Sequence, residues 1–169
     1  EDILVRHCDF RNLGDIALRA SVERSETEDY YMDRIRVTDS TFADIGTGAI
    51  SFRGIWQWNQ EHYKRGHFEE GDILRNYVTR TGIRQLGRKT HAVPALEALR
   101  IQRGRIAGNV VERSFGSGIY VLGGKEGQMG AYGARTPDLP LIRILVYHNK
   151  TRDTALGVND YGRLALWLG

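Results

Sequence analysis

Ile106-Ala107-Gly108-Asn109-Val110-Val111 is the stretch whose reading decides the fold. A β-branched residue opens it, a small polar residue stands three positions on, and an apolar residue follows two further along. The same arrangement recurs in Val5–Phe10, Val37–Phe42, Ile73–Val78 and Val146–Thr151, with Cys8, Ser40, Asn76 and Asn149 in the polar place and Thr151 closing the last copy. Successive polar residues lie 32, 36, 33 and 40 positions apart. Constant local spacing with elastic intervals describes a coil that has one fixed corner and loops of variable length.

Around each copy the apolar residues alternate at period two, the signature of half-buried strand. Ile3, Val5, Phe10, Leu13, Ile16 and Leu18 do so in the first copy. Ile35, Val37, Phe42, Ile45, Ile50 and Phe52 follow in the second. The third copy, Ile73–Gly82, is expected to return through Ala95–Leu99, with Pro94 at a strand's start, where no ladder donor is lost. Ile119 and Val121 close the fourth copy, and Leu164 and Leu166 the fifth. Between copies lie an acidic loop, Ser21–Asp33, and an aromatic insertion, Gly54–Gly71, that carries Trp56, Trp58, His62, Tyr63, His67 and Phe68. A basic loop, Ile83–Pro94, a short connecting segment, Arg100–Gly104, and a glycine-rich loop, Leu122–Leu139, complete the connections. No stretch has amphipathic-helix spacing. Units of three short strands cannot bury their own faces, whereas stacking at about 4.8 Å per coil does. An all-β solenoid of about five coils is therefore expected. A β-sandwich is the competing architecture, but Asn-Gly hairpin signals are missing and the motif recurs in one order, which favours parallel stacking.

The chain of 169 residues reads as one domain, 1–169, and its net charge of +3 is too weak for a nucleic-acid footprint. Its single cysteine, Cys8, permits no internal disulfide, and no run of about 18 apolar residues suggests a membrane span. Both ends already read as strand, so the domain is expected to be cut from a longer protein on both sides, with any export signal upstream. Open sheet edges at such cuts are expected to make the segment stack or aggregate.

The polar corner residues, the glycine before the return strand and the apolar pairs Ile16/Leu18, Ile50/Phe52, Ile119/Val121 and Leu164/Leu166 resemble those of right-handed parallel β-helix proteins of the pectate-lyase-like superfamily. That resemblance implies a ladder of stacked corner asparagines, partial here because Cys8 and Ser40 fill two rungs. It also implies that Asn149, although it heads an Asn-Lys-Thr sequon, is a buried rung. The strand before the corner would be the second of its coil, the strand after it the third, and the return strand the first of the next. In enzymes of the superfamily the return-strand sheet floors a polysaccharide groove, which implies a secreted or periplasmic, carbohydrate-active protein, either a glycoside hydrolase or a uronate lyase. Asn159–Trp167 loosely resembles the Asp-x-Gly…Trp stretch of some β-helix glycoside hydrolases. The polygalacturonase motifs and the calcium-binding aspartate cluster of pectate lyases are missing. No cofactor is implied, apart from Ca2+ if the chemistry is that of a lyase.

Carried onto this sequence, the outward positions beside the buried pairs include Asp15, Arg19, Arg53, Glu97, Tyr120, Arg163 and Trp167, with walls from Gly54–Gly71 on one side and Ile83–Pro94 and Thr154–Tyr161 on the other. Trp56, Trp58 and Trp167 offer flat faces for sugar rings, or pack as a satellite core. Arg19, Arg53 and Arg163 suit a uronate carboxylate, or simply solvate a sheet face. Glu97, Asp153 and Asp160 are the candidate catalytic carboxylates, because glycoside hydrolysis uses two. Turn chemistry accounts equally for the aspartates, and an ion pair with Arg19, Arg53 or Arg163 for Glu97. Asp39, in register with His7 and Arg75, is expected to form a cross-coil ion pair. His62 and His67 lack a third ligand for a metal. Gly123-Gly124-Lys125 lacks P-loop spacing, and Ser117 lacks the setting of a nucleophile elbow. The non-catalytic alternative is a glycan-binding or structural solenoid, such as an adhesin or tailspike-like stalk. Oligomeric state stays open.

Overall fold

A computed structural model describes residues 2–21, 31–53, 67–85, 94–99, 101–122, 143–156 and 164–167. The alternation read from the sequence becomes three parallel sheets of five strands each, wound as a right-handed parallel β-helix. Sheet A holds the strands before the corner: β1 (Asp2–Arg6), β4 (Tyr31–Thr38), β7 (His67–Leu74), β10 (Ile101–Ala107) and β13 (Arg143–Tyr147). Sheet B holds those after it: β2 (Asp9–Leu13), β5 (Thr41–Ile45), β8 (Tyr77–Thr81), β11 (Val110–Ser114) and β14 (Lys150–Thr154). Sheet C holds the return strands: β3 (Leu18–Ser21), β6 (Ile50–Arg53), β9 (Leu96–Leu99), β12 (Ile119–Leu122) and β15 (Leu164–Trp167). The third return strand lies where Pro94 and the apolar run place it.

Pairing is in register along each column. Val5, Val37, Ile73, Ile106 and Val146 stack on one inward column of sheet A. Phe10, Phe42, Val78, Val111 and Thr151 stack on sheet B. Leu18, Ile50, Leu96, Ile119 and Leu164 stack on sheet C. Like sits on like, so the core is a set of apolar columns, fully enclosed in the middle coils. Phe10 and Phe42 lie face to face with ring centres 4.8 Å apart and planes 6° off parallel. Each fully buried side chain of this size contributes on the order of 1.5–3 kcal/mol.

The corner has a conformation as constant as its sequence. The residue before each polar rung has positive φ: His7, Asp39, Arg75, Gly108 and His148, all between 51° and 65°. This left-handed residue followed by an extended one turns the chain sharply from sheet A to sheet B in two residues. The rungs then bond upward without a break. The Cys8 N–H donates to Ser40 Oγ, the Ser40 N–H to Asn76 Oδ1, the Asn76 N–H to Asn109 Oδ1 and the Asn109 N–H to Asn149 Oδ1, at 2.9–3.1 Å. Each rung also donates to a main-chain carbonyl, Asn76 to Val37, Asn109 to Ile73 and Asn149 to Ile106. Ser40 Oγ reaches Thr38 O and Cys8 Sγ reaches Arg6 O. The partial asparagine ladder is present as expected, with Ser40 and Cys8 in its other two rungs. A hydroxyl both accepts and donates, so Ser40 fills a full rung, and the thiol of the first rung needs only to donate. Asn149 is half-buried, with its amide engaged by Asn109 and Ile106.

A second positive-φ column runs through sheet B at Asn12, Asp44, Arg80, Arg113 and Asp153, between 49° and 59°. It bends every third strand at the same place and skips one rung of register. Left-handed backbone costs a non-glycine residue roughly 1–2 kcal/mol. In both columns aspartate in the second coil is gripped by arginine in the third, Asp39 by Arg75 and Asp44 by Arg80. The expected Asp39 pair is therefore formed, with Arg6 adding a third member at 3.5 Å.

Three expectations about loop limits change. His67 and Phe68 belong to β7 rather than to the aromatic insertion, because Phe68 alternates into the core and stacks on Phe52 at 5.8 Å. Ile101–Gly104 is strand, not connector. Ile83–Gln85 forms a 3-10 turn at the start of the basic loop.

Hydrogen bonding from Arg75 holds the Asp39 carboxyl far below the usual carboxylate range, and Arg80 lowers Asp44 and Thr47 lowers Asp15 in the same sense. A depressed folded pKa contributes stability that is present above the unfolded value of about 4 and is lost as pH falls through the folded value. The urea midpoint is therefore expected to hold from pH 7 to about 5 and to fall below about pH 4. The fall should be shallower in Asp39→Asn. Equal acid slopes in the two chains would remove the Asp39 pair from the explanation.

Candidate functional site

The corner between sheets A and B is two residues long in every coil, whereas every long connection adjoins sheet C. Residues 22–30, 54–66 and 123–142 leave it, and residues 82–95 and 155–163 enter it. Its outer face is thus the one flanked by variable segments on both sides. In the first four coils Leu18, Ala20 and their stacked counterparts point into the core, so the outward rows hold Arg19, Ser51, Glu97, Tyr120, Ala165 and Ser21, Arg53, Leu99, with Leu122 and Trp167 next in register.

Outward residues of a surface sheet should be wet, but several here are not. Ser51 is wholly buried and Glu97 is 5% exposed, with Leu99 and Ala165 also buried. The Glu97 carboxylate sits in a small hydrogen-bonded cluster. Ser51 Oγ donates to its Oε2 at 2.5 Å. Arg53 Nε donates to the same oxygen at 2.6 Å, and Arg53 Nη2 donates to Oε1 at 3.1 Å. Arg53 Nε also reaches Ser51 Oγ at 3.1 Å. A forked guanidinium on a carboxylate is a strong and directional pairing, and removal from water strengthens it further. Both oxygens act as acceptors, so the carboxylate is oriented and anchored. Arg53 is partly exposed, so one side of the pair meets solvent.

The candidate residues divide accordingly. Arg19, Glu97 and Tyr120 share one row, and Arg53 joins them through Glu97. The ion pair expected for Glu97 is made, with Arg53, and its carboxylate side is buried while the guanidinium is partly exposed. Asp15 stands at the entry to β3 and accepts a 2.8 Å bond from Thr47 Oγ1. Asp153 lies on sheet B, at the left-handed bend of β14, exposed and 3.4 Å from Arg152. It shares no sheet with Glu97. Trp167 ends β15 in register with Leu122. Trp56, Trp58, Asp160 and Arg163 lie outside the described residues, as does His62.

Two groups went unread in the sequence. Ser51 lies in the run Ala49–Phe52 and looks like core until register with Glu97 and Arg19 turns it outward. Asp72 is buried on the outer face of sheet A, held by Arg105 through its main-chain N–H (2.9 Å), Nε (3.1 Å) and Nη2 (2.6 Å). The signal for it is the pair Glu70-Gly71-Asp72 and Arg103-Gly104-Arg105, one coil interval apart. Arg36 stacks on the other side of Asp72, and its buried Nε has no hydrogen-bond partner among the described residues. No group of three metal-ligating side chains occurs among the described residues. Among the described residues no helix is long and apolar enough to cross a membrane.

Fold and site define a right-handed parallel β-helix protein with a polar cluster set into the outer face of its return-strand sheet. Comparison with protein-family models, with curated proteins and with solved structures gave no match.

Proposed function

We propose that this is a secreted or periplasmic, carbohydrate-active β-helix protein of pectate-lyase-like type, a polysaccharide hydrolase whose groove runs over the return-strand sheet. The observation that carries the reading is the Ser51–Arg53–Glu97 cluster: a carboxylate anchored by three donated bonds on the one sheet that long connections flank on both sides. Anchored carboxylates on rigid strands are what positioning of a sugar hydroxyl or a reacting centre requires. Glycoside hydrolysis needs a second carboxylate about 5–9.5 Å from the first. The proposal assigns that role to Asp160, with Trp56, Trp58 and Trp167 as stacking faces and Arg19 and Arg163 as contacts for acidic sugars. Arg53 is then a positioning residue for Glu97. A uronate lyase is the close variant, in which an arginine or Ca2+ neutralises the substrate carboxylate.

One observation favours a non-catalytic glycan binder. Among the described outward rows of sheet C, Glu97 is the single carboxylate, and it is already engaged by Arg53. The two readings separate on a panel of plant, algal and host polysaccharides. A hydrolase releases new reducing ends, a lyase releases products that absorb in the ultraviolet, and a binder is retained without turnover. If the hydrolase reading holds, Glu97→Gln and Asp160→Asn each lower the rate by at least about 100-fold, the scale of a lost general acid or base. Trp56→Ala and Trp58→Ala mainly weaken retention. Turnover unchanged in Glu97→Gln would refute the role given to this cluster.

A further inference from the structure

The outer face of sheet A holds more positive charge than it neutralises. Ile35, Val37, Ile73 and Ile106 turn inward, so their strand neighbours form outward rows. From the second coil to the fifth, one row reads Arg34, Glu70, Arg103 and Arg143. The row beside it carries Arg36, Asp72 and Arg105 on successive coils. Both carboxylates are already taken. Glu70 accepts from Arg34 Nε at 3.1 Å. Asp72 is fully enclosed between its two arginines, and Arg105 alone engages both of its oxygens. Arg36, on the other side of Asp72, is left over, and its buried Nε has no hydrogen-bond partner among the described residues. Arg103 and Arg143 are exposed and form no ion pair among the described residues. Three uncompensated guanidinium groups thus stand along the helix axis over three coil steps, about 14 Å at the usual strand spacing. The third outward row is of another kind. Leu74, Ala107 and Tyr147 follow one another in it, and Tyr147 is 43% exposed.

We propose that this face binds a linear acidic polysaccharide, with a carboxylate on successive sugars, laid along the axis. A single small anion would meet one of the three free guanidinium groups, whereas a repeating polyanion meets them all. The forked donors of arginine match a carboxylate with two parallel bonds. The apolar row beside them suits the non-polar face of a sugar ring, so the two kinds of row match the two sides of a uronate. Nucleic acid fits less well. A flat sheet does not enter the groove of a duplex, and a single strand is held by successive aromatic platforms, of which this face has one ring. The surface is separate from the Glu97 cluster on sheet C and does not depend on turnover there.

Calorimetric titration of the 169-residue chain with polygalacturonate tests this, with the fully methyl-esterified polymer as its neutral counterpart. The acidic polymer is expected to bind, less tightly as salt rises, and the ester at least about 10-fold more weakly. Arg36→Gln combined with Arg103→Gln is expected to weaken binding by about 10-fold or more. Arg105 keeps its bonds to Asp72 in that chain, and circular dichroism confirms that the strands remain. Arg103→Gln alone changes an exposed, unpaired side chain and is expected to cost about 3-fold. Lys150→Gln with Arg152→Gln removes the same charge from sheet B and is expected to cost less than about 2-fold. Glu97→Gln is expected to bind the polymer as the wild type does, whatever its turnover. Three results would overturn the proposal: no binding of polygalacturonate by the wild type, full binding by the Arg36→Gln, Arg103→Gln chain, or an equal loss in the sheet B pair, which would make net charge alone the cause. A single-stranded oligonucleotide held more tightly than the polysaccharide would overturn the choice of occupant.

Discussion

Asn109→Ala is expected to lower folding stability by about 3 kcal/mol, because the buried Asn76 N–H and Ile73 carbonyl lose the side chain that pairs them, at about 1–3 kcal/mol each, and the Asn76 amide loses one of its two bonds. Asn109 is fully enclosed and sits in the middle of the ladder. Its Oδ1 accepts from the N–H and the Nδ2 of Asn76, and its Nδ2 donates to Ile73 O and Asn149 Oδ1. Alanine removes both bonds from Asn76 and the one to the Ile73 carbonyl, while the Asn76 amide keeps its bond to Val37 O. For a chain of this size the loss corresponds to a fall in Tm of about 6–12 °C. Asn109→Ser is the informative control. Serine already fills a rung at position 40, accepting from Cys8 and donating to Thr38 O, so it should recover part of the loss. Hydrogen exchange gives the location. In a solenoid each coil is held by its neighbours, so protection should fall first in β10 and β11, on either side of the corner. An unchanged melting temperature in Asn109→Ala would mean that the rung bonds are fully replaced by solvent.

Gly104→Val is the second large effect expected, at about 3 kcal/mol, the upper end of what forced overpacking costs. Gly71 and Gly104 interrupt an inward column that otherwise reads Ile3, Ile35 and Ile144. A Cβ at Gly104 would collide with the carbonyl oxygen of Gly71, and one at Gly71 with the methyl groups of Ile101. The first obstacle is main chain, and β7 is paired on both sides, so it cannot step back. The glycines leave room that Phe52 and Ile101 occupy from the other strands. Gly71→Ala meets a side-chain methyl and should cost less than Gly104→Ala. The urea midpoints of the two alanine chains, measured side by side, check that order. The reverse order would show that Ile101, not the Gly71 carbonyl, is the rigid wall.

The contrast between what the chain announces and what it conceals follows from periodicity. The corner is legible because it repeats a residue type, a small polar group, at a fixed distance from β-branched neighbours. Once Ile50/Phe52 and Ile119/Val121 are known to face inward, Arg53, Glu97 and Tyr120 must face outward, and they do. The second left-handed column was unreadable, because two of its five positions, Arg80 and Arg113, carry no turn signal, and Asn12, Asp44 and Asp153 suit an ordinary turn equally well. The five strands of sheet B had to be in register before their common backbone emerged. Pairings across coils are hidden for a related reason. Arg53 and Glu97 are 44 residues apart, and the connection between them varies in length, so nothing local signals that Ser51 completes the cluster. The burial of Glu97 on an outward face is a tertiary fact with no trace in its neighbours, Leu96 and Ala98. The functional reading rests on position for that reason.

The direction of the ladder has a mechanical consequence. Every rung bond and every strand-to-strand bond runs along the helix axis, while the polypeptide visits the coils strictly in order. Squeezed end to end, such a body behaves as a stack of plates in contact and resists through all three sheets at once. Pulled by residues 2 and 167, it meets the load one coil at a time, because force enters only the outermost layer and opens its bonds like a zipper. The same architecture is therefore a stiff strut in compression and a peelable one under tension.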